Sequence, residues 1–341
     1  MKKDFSLYGK GFFGDIKAPS KGIISDHFTL PPFSVLNARE GIWQSRKRRW
    51  LALGIESECG RNAPTGGSPM VSGYSDSGER LVGLKRQRGD GTGRPIKKAL
   101  TFRGANNPDD FMGNEMIQRG GGTSIFDPVL CELMYKWFCP ENGQIVDPFA
   151  GGSVRGIVAH LLDYKYWGCD LRQEQIDANY EQAKKITPDS KPTWITGDAL
   201  DKLKEAPKAD FIFSCPPYGD LEKYSNDKRD LSNMEYHTFI AVMKRIVLRC
   251  YKQLKDNRFA CFVVGDFRDK QGFYRNFISD TISCFLDNGF KLYNEAILVT
   301  VTGSLPIRIT KQFNASRKMG KTHQNILVFV KGNPREISGL I

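Results

Sequence analysis

Residues 209–218 read Ala-Asp-Phe-Ile-Phe-Ser-Cys-Pro-Pro-Tyr. The run 209–213 has the length and the β-branched or aromatic content of a buried strand, and the two prolines must end its ladder because proline has no N–H to donate. A stiff turn is therefore expected at the C-terminal end of a strand, which is where open α/β sheets bind ligands. The ring of Tyr218 and the carbonyl groups of the turn suit a flat heterocycle, through stacking and in-plane hydrogen bonds.

A glycine-rich turn lies upstream of this strand. Residues 144–156 read Gln-Ile-Val-Asp-Pro-Phe-Ala-Gly-Gly-Ser-Val-Arg-Gly, which predicts a short strand, a tight turn and an apolar-periodic helix. Gly151 and Gly152 let the backbone approach a ligand, and the first N–H groups of the helix offer donors. The next strand ends at Asp170, about 20 residues further on, where an acid can bind the hydroxyls of a ribose. A third strand ends at Asp198.

These motifs, each at a predicted strand end, resemble the S-adenosylmethionine-dependent DNA methyltransferases that modify an exocyclic amino group, adenine N6 or cytosine N4. In that family the first motif reads Asp-Pro-Phe-x-Gly-x-Gly, and the catalytic motif reads Asp, Asn or Ser followed by Pro-Pro-Tyr. The resemblance covers residues 123–332. Phrases at 33–37, 264–268 and 323–329 also resemble a subgroup common in phage and prophage genomes. DNA modification, as in restriction-modification systems, is the implied activity.

The resemblance implies a Rossmann-like α/β methyltransferase fold, with a mainly parallel seven-stranded sheet and an antiparallel edge strand. Strands that alternate with helices are typical of a parallel sheet covered on both faces. Strands are expected at 165–170, 193–197, 209–214, 258–265, 291–301 and 324–331, and helices at 172–185, 231–253 and 273–288. Residues 302–323 are expected to form a basic loop, which is either a DNA contact or a solvated hairpin tip.

The same resemblance implies the site residues. The expected contacts to the cofactor, S-adenosylmethionine, are Ser124, Phe126, Asp127, Asp147, Pro148, Phe149, Gly151, Gly152, Asp170 and Asp198. The expected catalytic residues are Ser214, Cys215, Pro216, Pro217 and Tyr218. Asp127 followed by Pro128 is also typical of a helix start, with an aspartate cap and a proline in the first turn, and both interpretations stay open.

The chemistry of amino methylation makes Cys215 the difficult position. The amino nitrogen of a base is a poor nucleophile because its lone pair is delocalised into the ring, and two acceptors aimed at its hydrogens would bend it toward sp³. One acceptor is a backbone carbonyl such as that of Pro216. A thiol is a weak acceptor, so the second is expected from Ser214, from Asp220 or from the backbone.

Two other functions remain open from the sequence. Cys215 could attack C6 of cytosine as a thiolate and activate C5, with Glu222 near N3 as the acid. Known C5 enzymes, however, place the cysteine after the prolines. The chain could also be a non-catalytic nucleic-acid-binding protein that keeps the fold.

The net charge of +12 is concentrated on the two flanks of the chain. Residues 1–123 carry 20 basic and 12 acidic side chains, residues 302–341 carry 7 and 1, and the central part carries 23 and 25. A nearly neutral site with basic flanks suits a polyanion, and double-stranded DNA with a flipped base is the expected partner. RNA is less expected because no RNA-binding module precedes the catalytic motifs.

The sequence predicts two regions, a basic and partly irregular N-terminal region at 1–122 and a methyltransferase domain at 123–341. Within 28–55 an amphipathic helix is expected, with Arg46, Lys47, Arg48 and Arg49 projecting outward to contact phosphates or to form the wet face of a docked helix. Residues 56–122 lack periodicity and are expected to form long loops, part of the target-recognition region.

The distribution of apolar residues and cysteines argues against a membrane protein, a secreted protein, a disulfide-bonded protein and a metal-binding protein. Charged residues interrupt every apolar run well short of a membrane span, and no apolar signal core follows Met1, so a cytoplasmic location is expected. The eight cysteines are scattered without Cys-x-x-Cys or Cys/His ligand spacing, so buried thiols are expected rather than disulfides or a metal site.

Overall fold

The computed structural model describes residues 28–55, 126–189, 192–219, 225–303 and 305–337. Its strands are β1 (Val35–Asn37), β2 (Gln144–Asp147), β3 (Lys165–Asp170), β4 (Thr193–Thr196), β5 (Ala209–Ser214), β6 (Leu254–Val264), β7 (Lys291–Val299) and β8 (His323–Lys331). Its helices are α1 (Ile42–Ala52), α2 (Pro128–Phe138), α3 (Val154–Leu161), α4 (Gln173–Ile186), α5 (Ala199–Lys202), α6 (Tyr236–Gln253), α7 (Phe277–Leu286) and α8 (Leu305–Ser316). Short 3₁₀ turns occupy Leu231–Asn233 and Pro334–Glu336.

The strands form one eight-stranded sheet in the order β1-β7-β8-β6-β5-β2-β3-β4. Strand β8 is antiparallel to β6 and β7, and the other neighbouring strands are parallel. From β2 the chain proceeds outward to β3 and β4, whereas from β5 it proceeds to β6 on the other side. The carboxyl ends of β2 and β5 therefore flank the topological switch point, where doubly wound sheets bind ligands.

Helices cover both faces of the sheet, and β5 shows why its sequence is apolar throughout. Phe211 and Phe213 pack into the cluster formed with α2, α3 and α4, whereas Ile212 packs into the opposite cluster with α6 and α7. All three side chains are fully buried. A strand buried on both faces needs apolar residues at consecutive positions, because successive side chains point to opposite faces.

The predicted mainly parallel α/β sheet is confirmed, and two details of it are corrected. The sheet has eight strands rather than seven, because β1 pairs in parallel with β7. The antiparallel strand β8 lies between β6 and β7 rather than at the edge. Residues 326–330 of β8 are all buried apolar side chains, and such an uninterrupted run suits a strand with neighbours on both sides.

The prediction of a basic loop at 302–323 is wrong for its first half, which contains helix α8. Leu305, Ile309 and Phe313 recur every four residues, which is the spacing of a helix with a narrow apolar stripe. Leu305 and Ile309 are half-buried on this stripe, while most of the surrounding side chains are exposed. The many charged and polar residues concealed the period in the sequence.

Helix α1 docks on α2 through a buried carboxylate. Glu132 is fully buried, pairs with the Arg46 guanidinium, and accepts a hydrogen bond from Trp50 Nε1 at 3.0 Å. The expectation that Arg46 projects outward is therefore wrong, because Arg46 neutralises Glu132. The boundary between the two predicted regions stays a prediction, and the loops expected at 56–122 lie outside the described residues.

None of the helices in the described ranges is long and apolar enough to cross a membrane. Seven cysteines lie in these ranges, six of them buried and Cys215 partly exposed. Cys59 lies outside them.

Candidate active site

A cavity of about 460 Å³ opens at the carboxyl ends of β2, β3, β4 and β5. Of the residues that the sequence predicts for the site, the cavity wall contains Phe126, Asp127, Pro148, Phe149, Gly151, Gly152, Asp170, Asp198, Cys215, Pro216, Pro217 and Tyr218. Asp147 and Ser214 do not line the cavity. Ser124 lies outside the described residues, as do Asp220 and Glu222.

Asp147 is a buried connecting residue behind the cavity wall. Its Oδ1 accepts hydrogen bonds from the backbone N–H of Phe149 at 3.1 Å and from the hydroxyl of Ser214 at 2.5 Å. Its Oδ2 accepts from Arg155 Nε at 2.6 Å and from the Tyr166 hydroxyl at 2.8 Å. The carboxylate thus ties the glycine turn after β2 to the last residue of β5, which carries the prolyl turn.

Arg155 neutralises the charge of Asp147 and binds the backbone of the glycine turn. Its guanidinium also donates to the carbonyl of Ala150 at 2.8 Å and lies over the Phe126 ring, 4.6 Å from the ring centroid. Gly151 adopts φ +49°, a left-handed conformation that favours glycine, so the turn can fold back over the guanidinium. Arg155 was not expected from the sequence, although a buried aspartate at a strand end needs a nearby cation.

Asp170 lies at the carboxyl end of β3 and faces the cavity. Its carboxylate accepts from the backbone N–H of Gly151 at 3.1 Å and of Arg172 at 2.9 Å. Burial raises the pKa of Asp170 above its ordinary value, and these two N–H donors partly offset the shift. The carboxylate of Asp170 is thus held by backbone N–H groups of the glycine turn and of its own loop, and it lines the cavity.

The wall beyond Asp170 is built from two further acids. Asp198 caps α5 by accepting from Leu200 N at 2.8 Å, and it lines the cavity beside Gly197. Asp230 is buried and caps the 3₁₀ turn through Ser232 N at 2.9 Å, and it too lines the cavity. Asp230 was not expected from the sequence, because the segment after the prolyl turn shows neither a helix period nor a strand period.

Tyr218 also lines the cavity, and its ring packs in a cluster of aromatic side chains. Its ring centroid lies 6.3 Å from that of Phe267 and 6.0 Å from that of Phe277, both in edge-on geometry. The amide of Gln324 on β8 donates to the Tyr218 hydroxyl at 2.8 Å. These contacts hold the ring in place while it lines the cavity, which is the arrangement that stacking on a flat ligand requires.

The catalytic turn places Cys215, not Ser214, at the cavity. Cys215 is partly exposed and lines the wall, with its Sγ 4.0 Å from the Pro216 carbonyl oxygen. Ser214 is fully buried and donates its hydroxyl to Asp147. Because successive strand residues point in opposite directions, a side chain before the prolines reaches the cavity only from position 215.

The end of the cavity near Phe126 also contains residues from the N-terminal region. Asp127 caps α2 by accepting from Val129 N at 2.9 Å, which bears out the capping interpretation of its sequence context. The Lys47 ammonium of α1 lies 3.0 Å from its other oxygen, and both residues line the cavity. The sequence suggested an outward-facing position for Lys47 and did not indicate its place in the cavity, because 80 residues separate it from Asp127. In the part of the chain that the structure describes, no group of His, Cys, Asp and Glu is arranged to hold a metal ion.

Residues 209–338 match the N6/N4 methyltransferase family, described as DNA methylase. The matched region runs from β5 through β8 and includes the prolyl turn. No curated protein is a significant match. The match supports the resemblance to the DNA methylases over this part of the chain.

Many solved structures are similar to part of the chain. TrmN from Thermus thermophilus is 13% identical with a TM-score of 0.41, and the match covers 60% of this chain and 49% of TrmN. Magnesium protoporphyrin IX methyltransferase from Synechocystis, solved with bound S-adenosylmethionine, is 12% identical with a TM-score of 0.40 and coverages of 67% and 99%. A TehB-like methyltransferase from Corynebacterium glutamicum is 13% identical with a TM-score of 0.38 and coverages of 65% and 97%. This chain thus spans about half the length of TrmN.

Proposed function

We propose that the chain is an S-adenosylmethionine-dependent methyltransferase that acts on an exocyclic amino group, adenine N6 or cytosine N4, of a base flipped out of duplex DNA. Its residues 209–338 match the DNA methylases, which supports this proposal. One observation carries this proposal. The glycine turn, Asp170 and the Tyr218 turn line a single cavity of about 460 Å³, so a nucleoside and a base can meet inside it.

The glycine turn and the acids form the cofactor side. S-adenosylmethionine supplies a methyl group that is electrophilic because it is attached to a sulfonium. Asp170 accepts hydrogen bonds from the ribose hydroxyls, since its carboxylate lies at the end of the strand after the glycine turn. The small residues of the turn let the backbone approach the ligand. Asp147 is a positioning residue. It is fully buried behind the cavity wall, so it holds the glycine turn in place and does not touch the ligand.

The prolyl turn forms the base side. The fixed Tyr218 ring stacks on the extruded base, and backbone carbonyls of the turn accept the hydrogens of the amino group. Ser214 is not the second acceptor, because its hydroxyl is committed to Asp147 and is buried. With the cofactor bound, the amino nitrogen would form a bond to the methyl carbon as the carbon–sulfur bond breaks. S-adenosylhomocysteine would leave as the thioether, and the extra proton of the nitrogen would pass to water. No covalent link to the protein is needed.

The duplex lies on the surface next to Tyr218, where a hairpin follows β6. Asp269 Oδ1 accepts from three successive N–H groups, those of residues 271–273, and so fixes the tip that presents Phe273, 68% exposed. The guanidinium carbon of Arg268 lies over the Tyr274 ring, 3.9 Å from the ring centroid. A basic groove runs between this hairpin and α8, lined by Arg268, Lys311, Gln312, Ala315, Ser316, Lys318 and Met319. The cations face phosphates, and the exposed Phe273 ring enters the space that the extruded base leaves.

The direct test is incubation of the full chain with isotopically labelled S-adenosylmethionine and plasmid DNA, followed by digestion to nucleosides and mass analysis. N6-methyladenine or N4-methylcytosine is the expected product. 5-Methylcytosine would refute amino methylation and favour attack by Cys215. Binding of DNA and cofactor without methyl transfer to any of several plasmids, or to genomic DNA, would favour the non-catalytic interpretation.

Two variants of Cys215 separate the chemistries. Cys215→Ser should retain methyl transfer, because the backbone carbonyls and Tyr218 carry the amino mechanism, whereas a thiolate nucleophile would be lost. Cys215→Asp supplies a strong acceptor before the prolines and should equal or exceed the wild-type rate. Loss of activity in both variants, with unchanged cofactor binding, would contradict the amino mechanism.

A further inference from the structure

The ion pair between Lys47 and Asp127 lies in the wall of the same cavity as Asp170. The Lys47 ammonium is 3.0 Å from Asp127 Oδ2, and the two side chains are 25% and 13% exposed. Both line the cavity together with Phe126. An ammonium carries three N–H donors, and Asp127 engages one of them, so Lys47 keeps donors for an anion inside the cavity.

Four cationic side chains line the cavity among the described residues, namely Lys47, Arg155, Arg172 and Arg229. Arg155 is buried against Asp147 and the carbonyls of the glycine turn. Arg172 lies beside Asp170, with Nε 4.0 Å from Oδ1, and Arg229 pairs with Asp227 at 2.7 Å. These three serve the turn, the strand end and the 225–230 segment, whereas Lys47 is the cation that α1 contributes.

Helix α1 holds Lys47 in place before any ligand arrives. Arg46, the residue before Lys47, and Trp50, almost one turn after it, bind the buried Glu132 of α2. Trp43, four residues before Lys47, donates its Nε1 to the same Asp127 oxygen at 3.2 Å. Three residues of α1 besides Lys47 are thus fixed to α2, so little side-chain and backbone freedom is lost when Lys47 binds an anion.

From this geometry we infer that Lys47 binds the α-carboxylate of the methionyl end of S-adenosylmethionine, with Asp127 holding the ammonium in position. This rests on the proposed function only for the cofactor and not for the DNA substrate. The carboxylate is the anionic group of the cofactor, and a lysine ammonium pairs with it as a point charge. It follows that residues 28–55 complete the cofactor site of the sheet domain.

The test compares S-adenosylmethionine with its decarboxylated form, which keeps the adenosine, the sulfonium and the amine. Titration calorimetry on the full chain should show that the wild type prefers the carboxylate form by about tenfold to a hundredfold, the range expected for one hydrogen-bonded ion pair. Lys47→Met should lose most of this preference and bind the decarboxylated form as the wild type does. Lys47→Arg keeps the charge and should keep most of the preference.

Arg48→Met is the matched control, since it removes a positive charge from the next position of α1, which is exposed and does not line the cavity. It should leave the preference unchanged. A Lys47→Met protein that still prefers the carboxylate form as strongly as the wild type overturns the inference. So does an equal loss of affinity for both ligands, which marks Lys47 as structural. Failure of the wild type to bind either ligand counts against the proposed function itself, and a thermal melt of each variant shows that it is folded.

Discussion

Replacing Asp147 by asparagine should destabilise the protein by about 3–5 kcal/mol, the cost of removing one partner from a buried ion pair. The Asp147 side chain is fully buried and that of Arg155 is 6% exposed, so water cannot compensate the guanidinium that remains. Each carboxylate oxygen accepts two hydrogen bonds, and asparagine offers only one oxygen. In either amide orientation one N–H, of Phe149 or of Arg155, faces an NH₂ group, because the Ser214 and Tyr166 hydroxyls can rotate but an N–H cannot.

The assay is urea unfolding of wild type and variant, with the m-value checked for a change in the unfolded state. A loss of this size is large against a typical total stability of about 5–15 kcal/mol. Asp210→Asn is the control, at the other end of β5. Asp210 pairs with Lys255, whose side chain is 46% exposed, and with Arg258, and it accepts from the backbone N–H of Gln144 at 3.0 Å. Because Lys255 can reach water and asparagine keeps one accepting oxygen, the expected cost there is smaller, about 1–2 kcal/mol.

Cofactor binding gives an independent measurement of the same prediction. Asp147→Asn should weaken S-adenosylhomocysteine binding because the glycine turn loses its anchor, whereas Asp210→Asn should not. The double variant Asp147→Asn/Arg155→Met should lose less stability than the sum of the single variants, since it no longer buries an unpaired charge. If Asp147→Asn costs less than about 1 kcal/mol, the carboxylate is not the connecting residue that its hydrogen bonds indicate.

Four further outcomes are expected. Tyr218→Ala should lower kcat/KM on duplex DNA about tenfold to a hundredfold through lost stacking, whereas Tyr218→Phe should stay within a few-fold of wild type; equal losses would contradict stacking. Phe273→Ala should slow methylation of duplex DNA and lower the fluorescence of a flipped 2-aminopurine, but leave methylation of single-stranded DNA unchanged; a loss on both substrates would contradict a role in opening the duplex. Burial raises the pKa of Asp170 above the ordinary aspartate pKa of about 3.9. Cofactor affinity measured by calorimetry should therefore begin to fall at a pH above about 3.9, because the protonated carboxyl is a poor acceptor. A decline that occurs only below this pH would contradict the role of Asp170. Gly156→Ala should lower the thermal midpoint by the equivalent of about 1–3 kcal/mol, since its Cβ would overlap Cζ2 of Trp194 and lie 3.0 Å from Cε2 of the same ring; an unchanged midpoint would show that the ring moves aside.

The site motifs could be predicted from the sequence because their information is local. Consecutive prolines end a strand wherever they occur, and Gly151 marks a position where only a residue without Cβ adopts the turn at low cost. The positions of Asp170 and Tyr218 at strand ends follow from apolar runs of strand length. Because parallel strands share one carboxyl edge, these local predictions already placed the groups on one side of the sheet.

Other parts of the site depend on contacts that no local pattern encodes. Ser214 and Cys215 are equivalent in sequence terms, and only the direction of β5 decides that the first points to Asp147 and the second to the cavity. Helix α8 was missed because its exposed charged and polar residues obscure a narrow apolar stripe.

The sequence by itself determined the α/β class, the order of the motifs and the chemistry at the strand ends, since each depends on the conformational limits of a few adjacent residues. Only the tertiary structure decided that Asp147 binds Arg155 behind the wall, that β1 extends the sheet beside β7, and that Lys47 stands next to Asp127. The physical reason is that a pairing such as Leu36 with Leu298 is set by packing and charge compensation across the whole folded chain, where many alternative partners compete.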